Sequence, residues 1–308
     1  MITVGGFNTS VDKSMRTDQI RIGGVSRVRD VRARPGGKGA HVALTAAALG
    51  EPVRLVGLID DTHRALFEDF LGERGVEFHG VPTAGSVRTC LAVRDGEGRV
   101  TELLEPGPEV SADTRREILA RFRMLAADAQ ISLLCGSLPP GMEPSDYAGL
   151  AAELRAAGRR CGVDTSGEPL RRAVEARPFL VKPNRDEAAA LLDAPVGGVG
   201  EAARAARALE ARGVALPVVS LGPQGAVACW EGRALHAVVT VQAVNPVGSG
   251  DCLLGGMAVG LARGASAEEA LRLGVACGAA NAATPETGVV RRDDVEALLP
   301  RVTVSPLR

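Results

Sequence analysis

Short apolar runs recur along most of the chain, and segments with the 3.6-residue periodicity of amphipathic helices separate them. The runs that we predict to be strands are residues 2–4, 53–59, 131–135, 161–164, 179–181 and 218–221. Strands that are apolar throughout are typical of sheets buried on both faces, in which helices form the crossover connections. The pattern therefore predicts an α/β fold with a mostly parallel central sheet flanked by helices.

Two segments, residues 11–34 and 87–106, interrupt this rhythm. In the second, the turn sequence Asp95-Gly-Glu-Gly98 separates two β-like runs and predicts a hairpin. In the first, Gly23-Gly24 lies between shorter β-like pieces. We predict that both segments assemble into one small β-sheet lid over the mouth of the central sheet; two ordinary edge hairpins are the alternative. The α/β core would then comprise residues 1–10, 35–86 and 107–308.

Composition argues against several classes of function. The 36 Lys and Arg residues balance 37 Asp and Glu residues, and a chain without excess positive charge is a poor candidate for nucleic-acid binding. No apolar run approaches the roughly 20 residues that span a bilayer, and the N-terminus leads directly into a strand. The six cysteines include no Cys-x-x-Cys pair, which argues against zinc or redox chemistry. We therefore expect a cytoplasmic protein with reduced cysteines and with neither a nucleic-acid nor a membrane partner.

A glycine-rich segment near the C-terminus, Asn245-Pro-Val-Gly-Ser-Gly-Asp251, precedes an apolar helical run. Glycines before a helix allow the backbone to approach a ligand closely, and the unpaired N–H groups at a helix N-terminus bind anions. An Asp in the first turn also stabilises a helix without any further function. From spacing alone, Asp251 is either a helix-capping residue or an acid beside an anion site.

Two further segments also allow two interpretations each. Pro35-Gly-Gly-Lys-Gly39 lacks P-loop spacing, so a tight turn before the Ala-rich helix of residues 41–49 competes with an anionic-substrate site at Lys38. Asn184 and Glu187 fit a capping box, and the same two side chains are suited to hold a hydrated Mg²⁺. For this second pair the two interpretations are compatible.

The remaining candidates are isolated charges. Arg88 and Asp12 would face the mouth of the sheet if the hairpins form a lid, and the planar guanidinium of Arg88 suits a phosphate. Both residues are equally consistent with an ordinary exposed surface. The chain has four histidines, at positions 41, 63, 79 and 236. They show neither metal-ligand spacing nor a nucleophile partner, so the sequence predicts no catalytic role for them.

Taken in order, these segments resemble the PfkB family of ribokinase-type carbohydrate kinases. The two glycine signatures of that family are matched by Gly36-Gly-Lys-Gly39 and by the segment that ends at Asp251. Further segments match in family order: residues 8–12, 136–139, 182–184 and 220–225. Since the resemblance covers nearly the whole chain, it implies a ribokinase-like α/β fold with a β-sheet lid.

The resemblance also implies phosphoryl transfer from ATP, with Mg²⁺, to a sugar hydroxyl. Asp251 would be the catalytic base, and the N–H groups of Gly248, Ser249 and Gly250 would stabilise the transferred phosphoryl group. The residues implied for substrate binding are Asp12, Arg27, Gly37, Lys38, Arg88, Cys90 and Ser137. Those implied for ATP are Lys182, Asn184, Glu187, Ser220, Gly222, Gly225, Gly278 and Asn281, with the last two near the adenine. Asn184 and Glu187 would also hold the Mg²⁺ through water.

Within the family, the chain is most similar to the hexose-phosphate branch, which includes tagatose-6-phosphate kinase and 1-phosphofructokinase. Residues 88–92, 101–108 and 281–288 carry this similarity. Cys90 and Ala92 stand where typical 1-phosphofructokinases have Asn and Lys, which favours a 6-phosphate sugar. The predicted acceptors are tagatose 6-phosphate, fructose 6-phosphate and fructose 1-phosphate.

Two other functions stay open on the sequence. A kinase for an unphosphorylated sugar or a nucleoside would leave Arg88 and Lys38 without anionic partners. A non-catalytic sugar-phosphate-binding regulator on a kinase scaffold would not need Asp251 and its glycines. The resemblance implies a homodimer through the lids, which would also cover exposed lid strands.

Overall fold

The structure is a computed structural model that describes residues 1–307. Over these residues the chain forms fourteen β-strands and ten α-helices. In chain order the strands are β1 (Ile2–Gly5), β2 (Ser10–Arg16), β3 (Arg29–Gly36), β4 (Val53–Ile59), β5 (Val76–Pro82), β6 (Arg88–Arg94), β7 (Val100–Leu104), β8 (Ile131–Cys135), β9 (Cys161–Asp164), β10 (Leu180–Val181), β11 (Leu216–Ser220), β12 (Ala226–Trp230), β13 (Arg233–Val238) and β14 (Thr303–Leu307). The helices are α1 (Lys38–Ala48), α2 (Arg64–Gly72), α3 (Ala112–Ala126), α4 (Asp146–Ala156), α5 (Gly167–Glu175), α6 (Arg185–Leu192), α7 (Val199–Ala211), α8 (Ser249–Ala262), α9 (Ala267–Ala282) and α10 (Arg292–Leu298).

A ten-stranded sheet forms the centre of the fold, in the order β14-β13-β12-β11-β10-β9-β8-β1-β4-β5. The seven neighbouring strands from β11 to β5 are parallel, whereas β12, β13 and β14 continue the sheet in antiparallel fashion. Strands β1, β8 and β9 are buried at every residue, as a sheet flanked by helices requires. This arrangement confirms the predicted mostly parallel α/β sheet.

A second, four-stranded sheet has the order β3-β2-β6-β7, and we call it the small sheet. Both predicted hairpins form, since β2 pairs with β3 and β6 pairs with β7 in antiparallel fashion. Strands β2 and β6 pair in parallel along seven residues and thereby join the two hairpins. The two interrupting segments are therefore one sheet and not two separate edge hairpins.

The core is built mainly from small aliphatic side chains. Its aromatic part is a cluster in which Phe7 packs edge-on against Phe122 and lies 5.5 Å from the ring centroid of Tyr147. The buried Tyr147 hydroxyl donates a hydrogen bond to the Cys135 carbonyl, so its polar atom is satisfied. None of the helices in the described part of the chain has the length and apolar character needed to cross a bilayer.

Helices α1 and α8 approach each other unusually closely. An ideal Cβ built on Gly255 of α8 would lie 2.7 Å from Cβ of Thr45 on α1, so only a glycine permits this contact. The Thr45 hydroxyl in turn donates to the His41 carbonyl one turn earlier. This contact fixes the N-terminal turn of α1 relative to that of α8, and both turns carry candidate site residues.

Candidate active site

The candidate residues gather where the central parallel strands end. Ser137 follows β8, Asp164 ends β9, Lys182 follows β10 and Ser220 ends β11. Because parallel strands deliver their carboxyl ends to one edge of the sheet, residues distant in sequence meet there. This edge is the usual ligand-binding edge of an open α/β sheet.

A buried carboxylate holds two lysines at this edge. Asp164 Oδ1 lies 3.0 Å from Nζ of Lys38, and Asp164 Oδ2 lies 3.0 Å from Nζ of Lys182. Burial disfavours the charged form of Asp164, but the two ammonium groups hold its pKa below the ordinary range. Burial likewise disfavours the charged form of Lys38, yet its attraction to Asp164 raises the lysine pKa above the usual value. Two lysine ammonium groups therefore share one buried carboxylate at the sheet edge.

The glycine-rich segment forms the turn that begins α8. Gly248 has a left-handed backbone with φ of 82°, and no side chain caps the helix at this position. The Ser249 N–H already donates to the Pro246 carbonyl, which leaves the amides of Gly248 and Gly250 as the candidate anion donors. An ideal Cβ built on Gly250 would lie 3.4 Å from Nζ of Lys182, so a lysine ammonium lies beside this backbone turn. The N-terminus of α8 and the Lys182 ammonium therefore lie side by side, and both attract anions.

The Asp251 carboxylate does not cap its own helix. Its Oδ2 lies 2.8 Å from Nδ1 of His41, and the other ring nitrogen of His41 lies 3.2 Å from Asp12 Oδ2. Burial opposes the charged form of the imidazole, but hydrogen bonds to both carboxylates raise the His41 pKa to about 10. Burial also opposes ionisation of Asp12, whereas its hydrogen bond with His41 lowers its pKa. No local pattern indicates this bridge, because Asp251 is 210 residues from His41. The sequence predicts no catalytic role for His41, and the structure places its ring between two of the candidate site carboxylates.

Asp12 lies at the floor of a pocket between the small sheet and the core. Gly36 permits this position, since a Cβ on Gly36 would overlap the Asp12 carboxyl group. Gly37, the residue before α1, hydrogen-bonds the same carboxylate through its backbone. Cys90 pairs in register with Asp12 across the small sheet and is half-buried. Other residues that line the pocket are Arg32, Arg34, Ala92, Glu102, Val247, Glu286 and Thr287.

A second polar group lies around Asn8. Nε of Arg88 donates to the Asn8 carbonyl at 3.2 Å, and the Asn8 side-chain amide donates to Ser137 Oγ at 3.0 Å. The structure thus brings Arg88 and Ser137 into contact with the same residue, Asn8. The side chain of Lys38 begins nearby, since its Cβ lies 3.7 Å from an ideal Cβ built on Gly136, the residue before Ser137. Arg27 is placed differently: it lies in the exposed connection between β2 and β3, away from the pocket lining.

The predicted capping box at the start of α6 is present. Asn184 Oδ1 accepts a hydrogen bond from the Glu187 N–H, and Glu187 Oε2 accepts one from the Asn184 N–H, each at 2.8 Å. Glu187 Oε1 remains directed toward Lys38, whose Nζ lies 4.0 Å away. This carboxylate oxygen is a hard donor, which fits a hydrated Mg²⁺ that accompanies phosphates. Capping and metal retention are therefore compatible in this geometry.

The residues predicted for the nucleotide fall into two groups. Ser220 ends β11 and forms a bridge with Asn184, and Gly222 and Gly225 shape the turn that follows. Gly278 and Asn281, on α9, pack instead against the Gly248–Gly250 turn. The Asn281 amide donates to the Val247 carbonyl at 2.9 Å and to Ser249 Oγ at 3.0 Å. Through these hydrogen bonds Asn281 stabilises the turn that begins α8.

Comparison with known proteins places this geometry in context. The sequence matches the family described as pfkB family carbohydrate kinase over residues 4–292. It is 33% identical over 261 residues to a 1-phosphofructokinase of Xanthomonas campestris pv. campestris, covering 83% of this chain and 82% of that protein. It is 28% identical over 302 residues to a 1-phosphofructokinase of Vibrio cholerae, covering 98% and 95% of the two chains.

The structure is similar to that of phosphofructokinase-2 from Escherichia coli in complex with substrates and products. The TM-score is 0.91 at 29% sequence identity, and the match covers 97% of this chain and 98% of that one. The likeness extends over the central sheet and the small sheet together. It confirms the ribokinase-like fold that the sequence predicts.

Proposed function

The chain belongs to the pfkB family of carbohydrate kinases, and on that premise we propose that it transfers the γ-phosphoryl group of ATP to a hydroxyl of a hexose phosphate. The product would be a hexose bisphosphate. One observation carries the proposal: a carboxylate, Asp251, lies one residue from a backbone turn that faces a lysine ammonium. A base and an anion-stabilising group at one point are what an in-line phosphoryl transfer to an alcohol requires.

In the proposed step, Asp251 accepts the proton of the sugar hydroxyl as that oxygen bonds to the γ-phosphorus. The bond from the γ-phosphorus to the bridging oxygen breaks, and ADP leaves with the electron pair. The amides of Gly248 and Gly250 stabilise the charge on the transferred group, with the Lys182 ammonium beside them. Lys38 is held at the same edge by Asp164 and adds positive charge toward the phosphates.

Mg²⁺ would be held near Glu187 and Asn184 through its water ligands. When bound, it neutralises charge on the ATP phosphates. Glu187 keeps one carboxylate oxygen outside its capping box, and this oxygen is the one suited to accept a hydrogen bond from metal-bound water. Ser220, Gly222 and Gly225 form the adjacent turn that we propose to approach the nucleotide.

The acceptor is proposed to carry a phosphate already, and the group around Asn8 supports this. Arg88 and Ser137 both contact Asn8, so they supply a guanidinium and a hydroxyl at one point. The curated relatives named above are 1-phosphofructokinases, whereas the E. coli enzyme is a phosphofructokinase-2. Cys90 and Ala92 leave the small-sheet wall of the pocket uncharged at their positions, which favours a 6-phosphate acceptor.

The test is ATP consumption with a panel of acceptors. Tagatose 6-phosphate, fructose 6-phosphate and fructose 1-phosphate are compared with fructose, ribose and adenosine, each with and without Mg²⁺. The expected result is Mg²⁺-dependent turnover of at least one sugar phosphate, with kcat/KM well above that of each neutral acceptor. Turnover of neutral acceptors alone would reject the phosphate pocket, and binding of sugar phosphate without turnover would identify a regulator.

We also propose that the small sheet, residues 11–34 and 87–106, acts as a lid and as the surface of a homodimer. Its strand β3 and its strand β7 are edges, and large apolar side chains on it are exposed. Those side chains are Ile22, Val25, Val28, Val31, Leu103 and Leu104. Unpaired edge strands with apolar side chains favour association, because a partner covers both the edge and the apolar surface.

A further inference from the structure

His41 has contacts that the proposed function leaves unexplained. Its side chain is almost fully enclosed, and both ring nitrogens are used: Nδ1 lies 2.8 Å from Asp251 Oδ2 and Nε2 lies 3.2 Å from Asp12 Oδ2. These two carboxylates are the proposed base and the proposed sugar-binding acid. One ring therefore joins two groups that must both be oriented toward the acceptor.

Packing fixes the orientation of this ring independently of its charge. Gly288 has a left-handed backbone with φ of 66°, and a Cβ at this position would overlap the His41 ring. Gly288 is itself confined on its other side, because an ideal Cβ on Gly248 would lie 2.6 Å from the Gly288 backbone nitrogen. The ring, Gly288 and the turn before α8 thus form three adjacent layers.

Negative charge dominates the immediate surroundings of the ring. Asp12 faces it from β2, Asp251 from α8 and Glu102 from β7. Burial, together with the nearby carboxylates of Asp12 and Asp251, raises the pKa of Glu102 above its ordinary value. An acceptor that carries a phosphate adds further negative charge to this pocket. A cation among these carboxylates offsets their mutual repulsion.

Two arginines that line the pocket are already paired, whereas Lys13 of β2 also lines it without an ion pair in the described part of the chain. Arg34 of β3 lies 2.9 Å from Glu286, which follows α9, and Arg32 lies 3.9 Å from the same carboxylate. Lys38, one turn earlier on α1, is engaged with Asp164. Neither pair replaces a cation between Asp12 and Asp251. His41 is the group whose position meets that need.

We propose that His41 is a positioning residue for the phosphoryl transfer: as an imidazolium it holds Asp251 Oδ2, directs Oδ1 to the acceptor hydroxyl, and offsets the repulsion between the Asp12 and Asp251 carboxylates. The inference rests on the proposed function, since it assigns Asp251 as the base. It adds that the orientation of the base depends on a residue of α1. Loss of the imidazolium leaves two adjacent carboxylates, one of which then takes up a proton more readily.

The kinetic test uses the acceptor that the wild-type protein phosphorylates best. His41→Asn removes the charge and is expected to move the acid limb of the kcat profile upward by about 1 to 3 pH units, with KM changing less. His79→Gln is the control, because His79 also pairs with a carboxylate, Glu77, at 2.8 Å but lies outside the site. This control is expected to reproduce the wild-type profile. Added imidazole is expected to restore part of the activity of His41→Ala.

Two kinetic outcomes would overturn the inference. One is a His41→Asn profile that coincides with that of the wild type. The other is a loss of the same factor at every pH, since a role in packing alone lowers activity without moving the acid limb. Thermal unfolding of each variant establishes that the protein assayed is folded.

Nuclear magnetic resonance of the histidine rings tests the bridge without any turnover. The ring signal that His41→Asn eliminates is expected to stay doubly protonated up to about pH 9 and to titrate at lower pH in Asp251→Asn. Titration of that signal near about pH 6.5 in the wild type would overturn the inference whatever the activity. A protonated ring in a protein that phosphorylates no sugar phosphate would instead reject the proposed function and leave the bridge standing.

Discussion

Nζ of Lys182 lies 3.0 Å from Oδ2 of Asp164, and both side chains are buried, at 3% and 0% exposure. The other oxygen of the same carboxylate holds Lys38. A single buried Asp thus orders two lysines at the edge where the helix α8 begins. Taking this carboxylate out of water is costly, and the two cations offset that cost only while the charge remains.

Asp164→Asn is therefore expected to destabilise the fold strongly. Removing one member of a buried ion pair leaves its partner charged and unpaired, which costs about 3–5 kcal/mol. The free energy of unfolding from urea titration measures the effect. Asp128→Asn is the matched control, because Asp128 pairs with Arg54 at 2.8 Å but is largely exposed, and its loss is expected to cost about 1 kcal/mol or less. Equal losses in the two variants would contradict the structural role of Asp164.

Asp251→Asn is expected to separate binding from turnover. The amide retains the shape of the carboxylate but does not accept the hydroxyl proton, so kcat should fall by about a hundredfold or more. Binding of the sugar phosphate, measured by calorimetry, should change little. Asp61→Asn, a substitution of an exposed Asp at the start of the segment before α2, provides the control. Unchanged turnover in Asp251→Asn would remove this residue from the mechanism.

Arg88→Ala is expected to weaken binding of the acceptor phosphate. Hydrogen bonds to a charged group contribute about 1.5–3 kcal/mol, so KM for the sugar phosphate should rise by roughly tenfold to a hundredfold. KM for ATP should stay near the wild-type value, since Arg88 contacts Asn8 and Glu105 and not the lysine pair. Arg27→Ala tests the other predicted arginine, which lies in the exposed connection of the small sheet. A larger rise in KM for Arg27→Ala than for Arg88→Ala would reverse this assignment.

Local sequence patterns predict much of the fold. The strand β8 and the capping box of α6 are set by contiguous residues, so apolar runs and the Asn184–Glu187 spacing suffice to find them. The parallel pairing of β2 with β6 is different, because β3, α1, β4, α2 and β5 lie between these two strands in the sequence. Strand β5 also lacks a continuous apolar run, since only its two terminal apolar positions, Val76 and Val81, are buried. Whether such segments form strands, and with which neighbours they pair, depends on residues that are distant in sequence.

The same limit applies to the site. Asp251 and the glycines before it are recognisable because they are consecutive, and family order assigns them a function. His41 shares no local pattern with its two carboxylate partners, and only the packing of α1 against α8 brings the three together. Arg27 is the opposite case, since its charge suits a phosphate but its side chain is exposed in the connection between β2 and β3. Residue type indicates what a side chain can bind, whereas tertiary packing decides whether it reaches the site.

The apolar surface of the small sheet predicts self-association. Leu103 and Leu104 on the edge strand β7 are 59% and 63% exposed, and the double variant Leu103→Glu/Leu104→Glu is expected to shift a dimer toward monomer. Sedimentation velocity at several protein concentrations measures the change. Met124→Glu is the control, because Met124 is equally exposed, at 63%, but lies on α3. A wild-type protein that remains monomeric at high concentration would contradict the dimer.

Alkaline pH is expected to weaken the fold through His41. The His41 pKa is raised to about 10 in the folded protein, compared with about 6.5 in an unfolded chain. A group whose pKa is raised by folding stabilises the folded state fully below the unfolded value, and that contribution disappears as pH rises through the folded value. The free energy of unfolding should therefore fall between about pH 6.5 and pH 10, and more steeply in the wild type than in His41→Asn. Urea titrations at several pH values across this interval compare the two slopes, and parallel slopes in the two proteins would contradict a charged imidazole in the folded state.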